Sequence, residues 1–288
     1  MTVADDGGSS GRLRQQLGVP PPGDFRQCIA ALAEAEPLMT QLFEYRFQNG
    51  DALAGHSFGN LFIVAMQGIT GSFEVALRES SRVLNVIGRI LPATLMDVTL
   101  SAELVNAEVV HGESVLPHSG AAIHRVFLQP DAPDAYPDAL QAIYEADLVI
   151  IGPGSLYTSV LPNLLVPGLT QALRATHALR VYVCNVASQP GETDGYMLGD
   201  YLAALERHIG PPPVDYVVVN SHLVELPAEW GVTQVGPGPS AHRFGIPTIA
   251  TDLLNIARPT RHDPTKLAAR LIALHDTHRQ RNGHARHA

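Results

Sequence analysis

Two adjacent carboxylates, Asp5 and Asp6, open the run Gly7-Gly8-Ser9-Ser10-Gly11, which ends in the arginines Arg12 and Arg14. Paired acids suit Mg²⁺ shared with phosphates, because Mg²⁺ takes few protein carboxylates and completes its shell with phosphate and water oxygens. One of the acids could instead hold a ribose hydroxyl. Arg12 and Arg14 could grip a phosphate through parallel N–H donors. A solvated loop with local ion pairs is the competing reading, and the length of the Gly/Ser run favours a ligand. Pro20-Pro21-Pro22-Gly23 then leads into a further acid and arginine, Asp24 and Arg26, at a helix start.

Gly152-Pro153-Gly154-Ser155-Leu156-Tyr157-Thr158-Ser159 sits between an apolar strand and a helix. Glycines there let backbone N–H groups approach an anion, and the helix start adds a favourable dipole. A tight turn with capping hydroxyls explains the same residues equally well. The loop Asn185 to Gly195, with Gln189, Glu192, Thr193 and Asp194, suits ribose, sugar hydroxyls or a metal, or is only a turn. Gly55-His56-Ser57-Phe58-Gly59-Asn60 lacks the spacing and the preceding strand of a nucleophile elbow, so a hydrolase triad is rejected. His56 alone reads as structural, and Asn60 as a helix cap or a polar ligand contact. Trp230 could stack on a ring and Arg261 could pair with a phosphate, although each taken singly reads as packing or surface.

These loops need elements to place them. Asp24 can cap a helix carrying Ile29, Leu32 and Ala33, and Pro37 starts another with Leu38, Leu42 and Phe43. Residues 59–71 and 72–85 read as two more helices. Residues 97–127 contain short β-branched pieces and read as a small antiparallel insertion. From about residue 134 helices alternate with short, mainly apolar strands at 147–151, 180–183 and 214–219. That alternation predicts an α/β fold with a mainly parallel sheet. Residues 165–175 read as a helix broken by Pro167-Gly168, and 264–281 as an amphipathic helix with Leu267, Leu271 and Leu274 on one face. The expected organisation is one domain over 1–282 with a flexible tail at 283–288. In such a sheet ligands bind beyond the carboxyl ends of the strands. The loops at 5–10, 152–158 and 185–195 all leave expected strand ends there.

Composition narrows the functions. The net charge is −9, which disfavours generic nucleic-acid binding. Of the 19 basic residues only Lys266 is a lysine, so a GK[ST] phosphate loop is absent. Cys28 and Cys184 are far apart and fit neither a disulfide scaffold nor a zinc site. No apolar run approaches the ~20 residues of a membrane helix. The chain is expected in the cytoplasm, without membrane insertion. GxGxxG is missing, which argues against an NAD-type oxidoreductase.

The strings VADDGGSSGRLR, PPPGDFRQC, GHSFGNL, IGPGSLYTSVLPNLLVPG and QPGETDGY together resemble the YvcK/CofD-like family. The likeness runs from residue 2 to about 220, weakens over 221–255 and resumes at Arg261-His262-Asp263-Pro264-Thr265-Lys266-Leu267. It implies a Rossmann-like, three-layer nucleotide-binding fold. The nearer branch consists of gluconeogenesis factors that bind UDP-sugars such as UDP-N-acetylglucosamine and are linked to cell shape and peptidoglycan precursor supply. The CofD branch consists of Mg²⁺-dependent 2-phospho-L-lactate transferases of coenzyme F420 biosynthesis. By that resemblance the expected function is a UDP-sugar-binding regulator, with the transferase as the alternative, since no nucleophile–base pair is evident. The backbone of Gly152, Gly154 and Ser155 with Arg12 or Arg14 is expected to hold the diphosphate. Asp6 and Asp24 are expected to hold Mg²⁺ or polar sugar groups, Asn185 and Thr193 to orient ribose or sugar, and Arg261 to contribute from the C-terminal segment. Asp5, Gly7, Gly8, Ser9, Ser10, Asn60, Tyr157, Gln189 and Trp230 complete the expected ligand set. A homo-oligomer is expected. The family opens with a further strand and a GGGTG loop ahead of the segment matching Thr2 to Asp6, so the start codon is expected to be mis-assigned or the product truncated.

Overall fold

The structure is a computed structural model that describes residues 1–35 and 37–285. Its first third is helical: α1 (Gly8–Leu17), α2 (Gly23–Leu32), α3 (Pro37–Glu44), α4 (Phe58–Thr70) and α5 (Phe73–Val83). The helix ends follow from their residues. Ser57 accepts from the Asn60 N–H at the start of α4, and Ser72 accepts from Val75 at the start of α5. Gly71 closes α4 in the left-handed conformation. Ahead of α1, residues 1–6 were expected to end a strand, but they belong to none. They form an extended segment tied to the chain at Leu91 and Ala93, with Val3 and Ala4 buried.

The strand-rich insertion is a three-stranded antiparallel sheet of β1 (Thr99–Leu104), β2 (Val109–His111) and β3 (Ile123–Gln129), in the order β2-β1-β3. It packs through β3 against helices of the following region, so it is part of the body rather than an appendage.

Then come α6 (Pro137–Glu145), β4 (Leu148–Ile151), a wide π turn at Leu156–Val160, α7 (Leu161–Leu164), α8 (Pro167–Ala175), β5 (Leu179–Val183), α9 (Leu198–Ile209), β6 (Tyr216–Asn220), β7 (Thr248–Thr251) and α10 (Pro264–Ala285). The strands form a parallel sheet in the order β4-β5-β6-β7. Side chains alternate between its faces. Leu179, Val181 and Val183 of β5 pack with Leu267, Leu271 and Leu274 of α10. Tyr182, Val217 and Val219 join the main core with Tyr201, Leu202 and Leu205 of α9. Helices therefore cover both faces, giving the three layers. Each buried Leu or Val contributes about 1.5–3 kcal/mol.

Further points depart from the expectation. Pro167 begins α8 rather than breaking a helix, because its missing N–H falls where no intrahelical partner exists. β7 was not anticipated. The C-terminal helix continues to Ala285, past the start of the expected tail at 283, and 286–288 lie outside the described residues. β4 is an edge strand, with Ile150 exposed, and an apolar crevice of about 560 Å³ runs beside it between Met1, Cys28, Leu32 and Val149.

Candidate functional site

The carboxyl ends of β4 and β5 and the loop after β7 enclose a crevice of about 420 Å³. β4 supplies Pro153 to Ser155, β5 supplies Asn185 to Gln189, and the last loop supplies Thr260 to His262. Gly152 makes the turn out of β4. Its φ is +76°, and a Cβ there would lie 2.9 Å from the Val183 carbonyl oxygen. The Gly154 N–H donates to Asn185 Oδ1 at 3.1 Å, and Asn185 Nδ2 reaches Gln189 Oε1 at 3.4 Å. The Ser155 hydroxyl donates to Glu192 and accepts from the Thr158 N–H and hydroxyl. Burial pushes the Glu192 carboxyl up, and the Ser155 bond draws it partly back.

The last loop is held rigidly. Asp263 caps α10 by accepting from the N–H groups of Thr265 and Lys266, with Pro264 at the first helical position. Lys266 Nζ donates to Asp252 at 2.7 Å and to the Leu254 carbonyl at 3.1 Å. The Asn255 N–H donates to the Arg261 carbonyl. The Arg261 guanidinium is left exposed at the crevice and makes no ion pair with the described residues.

Beyond Glu192 lies a different environment. Asp5, Asp6, Asp24 and Glu192 all repel Glu113, and Asp5 repels Asp24, where the Met1 ammonium and Arg26 act in the opposite sense. Burial and then Asp5 push Asp24 up to about 6. Burial, followed by Asp24, Asp5, Asp6 and Glu192, pushes Glu113 up to about 9. Glu113 Oε2 is buried without a partner. Asp5 accepts from the Gly7 N–H at 2.9 Å, and Asp6 from the Ser114 N–H at 2.9 Å. Gly112 brings β2 against Asp6, since a Cβ there would fall 2.2 Å from an Asp6 oxygen. Among the described residues no three His, Cys, Asp or Glu side chains converge as a metal cage. Mg²⁺ needs only one or two carboxylates beside phosphate and water. The hard oxygen donors and the orphaned Glu113 oxygen fit such an ion.

At the first turn of α1, the Ser9 hydroxyl lies 2.9 Å from His56 Nδ1 and accepts from Asn60 Nδ2 at 3.0 Å. All three residues are buried. Burial, with Arg12 and Arg46 behind it, lowers the His56 pKa and favours the neutral ring.

The structure gathers some expected site residues and scatters others. Gly154, Ser155, Asn185, Gln189 and Arg261 share the crevice. Asp5, Asp6 and Asp24 share the acidic pocket, next to Gly7 and Ser10. Gly8 has open space where a side chain would stand. The two expected phosphate arginines are pinned elsewhere: Arg12 donates to the Ala54 carbonyl, and Arg14 to Asp97 and the Val98 carbonyl. Tyr157 is fully buried against Tyr196 and His208. Thr193 is buried and spends its hydroxyl on the Gln189 N–H and the Tyr201 hydroxyl. Trp230 stands half-exposed on a short turn away from the crevice lining. Sequence reasoning missed Glu113 and His262. A glycine–acid step straight after a short strand, Gly112-Glu113, was the available signal for the first.

The profile of the family described as 2-phospho-L-lactate transferase CofD matches residues 1–252. The chain is 46% identical over 287 residues to the gluconeogenesis factor of Bacillus subtilis, covering 95% of this chain and 89% of that one. It is 56% identical over 210 residues to a putative gluconeogenesis factor of Nostoc, covering 73% of this chain but only 46% of that longer protein. The crystal structure of a UPF0052-family protein from Bacillus halodurans superposes with a TM-score of 0.90 at 44% identity, covering 94% of this chain and 89% of that one. Among the described residues no helix is long and apolar enough to cross a membrane.

Proposed function

We propose, for a chain that belongs to the CofD family, that the crevice holds the diphosphate of a nucleotide sugar and that the protein works as a ligand-binding regulator. UDP-N-acetylglucosamine is the ligand class. The observation that carries this reading is the pairing of the unpartnered Arg261 with the strand-end loop of Gly154 and Ser155, beside the amide side chains of Asn185 and Gln189. Arginine and backbone N–H groups suit a diphosphate, and side-chain amides suit hydroxyls. Relatives named gluconeogenesis factors support a regulatory role, and we extend that role to cell shape and peptidoglycan precursor supply, in the cytoplasm and as a homo-oligomer. Mg²⁺, when bound, would neutralise phosphate charge, and Asp6 and Asp24 would hold it with Glu113 alongside. Calorimetric titration with UDP-N-acetylglucosamine should give saturable binding that weakens in Gly154→Val and Arg261→Ala. Absence of heat at millimolar ligand would rule the reading out.

The acidic pocket favours a second reading, a Mg²⁺-dependent 2-phospho-L-lactate transferase. Its crowded carboxyls lie one hydrogen bond, Ser155 to Glu192, from the crevice. Turnover of a guanosine-diphosphate-linked donor with a deazaflavin acceptor, lost in Asp24→Ala, would establish it. No product in the presence of Mg²⁺ would exclude it.

A further inference from the structure

We infer that His262 Nε2 is a hydrogen-bond acceptor for a hydroxyl that flanks the diphosphate in the crevice. This deepens the nucleotide-sugar reading and rests on it. His262 lines the crevice beside Arg261 and opposite Gly154, Ser155 and Asn185. Its Nε2 is buried and has no partner. The ring hydrogen-bonds the Cys184 backbone, which by elimination engages Nδ1. That bond raises the ring's affinity for a proton, so Nδ1–H is the donor and Nε2 carries the lone pair. Burial outweighs the bond and holds the pKa near 4, so the ring stays an acceptor at neutral pH.

A buried acceptor without a donor costs about 1–3 kcal/mol. The neighbouring acceptor Asn185 Oδ1 is satisfied by Gly154, so the crevice holds an unmet demand at His262. A phosphate cannot meet it, having only acceptors when fully ionised. The groups on either side of a diphosphate are ribose and sugar, and both carry hydroxyls. The ring is also well fixed. Residues Leu254 and His262 bridge, and the Asp263 N–H donates to the Leu253 carbonyl at 2.7 Å.

The test is calorimetry on the full chain with UDP-N-acetylglucosamine, UDP and 2′,3′-dideoxy-UDP, using His262→Asn and His262→Gln. Asparagine can keep the donor to Cys184 but removes the acceptor. Glutamine can return an acceptor at the Nε2 position. His262→Asn should weaken UDP-N-acetylglucosamine binding about tenfold with an unchanged melting temperature, and His262→Gln should recover most of it. If ribose is the donor, UDP shows the same loss and the wild type disfavours dideoxy-UDP. If the sugar is the donor, only UDP-N-acetylglucosamine shows the loss. Wild-type binding left unchanged in His262→Asn, or lost equally in both variants, would overturn the role of His262 alone. A wild type that binds no UDP ligand would overturn the nucleotide reading, and this inference with it.

Discussion

The two halves of the candidate site are built on opposite principles. Around the crevice most polar groups are already matched: Gly154 to Asn185, Ser155 to Glu192 and Lys266 to Asp252. In the acidic pocket four carboxyls act on Glu113, and only the Met1 ammonium and Arg26 offset the charge, at Asp24, without an ion pair among the described residues. A matched site is formed before its ligand arrives, whereas an unmatched one stores a demand for positive charge or protons. The contrast divides the labour: the crevice supplies geometry and the pocket supplies charge.

The largest expected effect breaks the crevice side. Arg261→Ala removes the exposed cation and should cost about 1.5–3 kcal/mol of nucleotide binding, on the order of ten- to a hundredfold, as read by calorimetry. Comparable losses from Arg12→Ala would reverse the assignment, because Arg12 is tied to the Ala54 carbonyl.

A somewhat smaller effect probes the join at α1. Ser9→Ala leaves His56 Nδ1 and Asn60 Nδ2 without partners in a buried place. It should lower unfolding free energy by about 1–3 kcal/mol in denaturant titrations. An unchanged midpoint would mean that the network carries no stability.

The acidic side is tested by pH. Glu113 and Asp24 have folded-state pKa values of about 9 and about 6, raised above their ordinary values. At these two groups the folded chain binds more protons than the unfolded chain, so their contribution to stability falls as pH rises, whereas the neutral, buried His56, His208 and His262 act in the opposite sense below about pH 6.5. Without divalent cations the melting temperature should therefore decline from about pH 7 to about pH 9, where Glu113 titrates. Glu113→Gln, neutral throughout, should flatten the upper part of the slope. Mg²⁺ should raise the wild-type melting temperature more at pH 8 than at pH 5. A slope unchanged in Glu113→Gln would place the titration elsewhere.

The smallest effect concerns positioning. Lys266→Met releases Asp252 and the Leu254 carbonyl without touching the crevice. A few-fold weaker nucleotide affinity with little change in melting temperature is expected.

Legibility in the sequence followed how local the cause was. β4 and β5 were readable because Leu148-Val149-Ile150-Ile151 and Arg180 to Val183 are short apolar runs between helical stretches. The cap Ser72 and the turn at Gly152 also act within a few residues, whereas the cap read at Asn60 is instead Ser57, three residues earlier, with Asn60 inside α4. β7 escaped because Thr248-Ile249-Ala250-Thr251 lies at a half-exposed sheet edge and lacks an apolar run. The residues ahead of the Asp5 loop read as the end of a strand, yet strand pairing depends on a neighbour that local pattern does not encode. The site followed the same rule. The candidate loops were visible, but whether Arg12, Arg14 or Arg261 keeps a free guanidinium depends on carbonyls and acids more than forty residues away, such as Ala54 and Asp97. Glu113 and His262 owe their character to burial among distant groups.

The division of labour meets its most direct test in a crystal soaked with UDP-N-acetylglucosamine and Mg²⁺. Diphosphate density over Gly154 and Ser155, within reach of Arg261 and with a cation toward Asp6 and Asp24, is the predicted result. Density for the diphosphate seated elsewhere, with Arg261 still facing solvent, would contradict it.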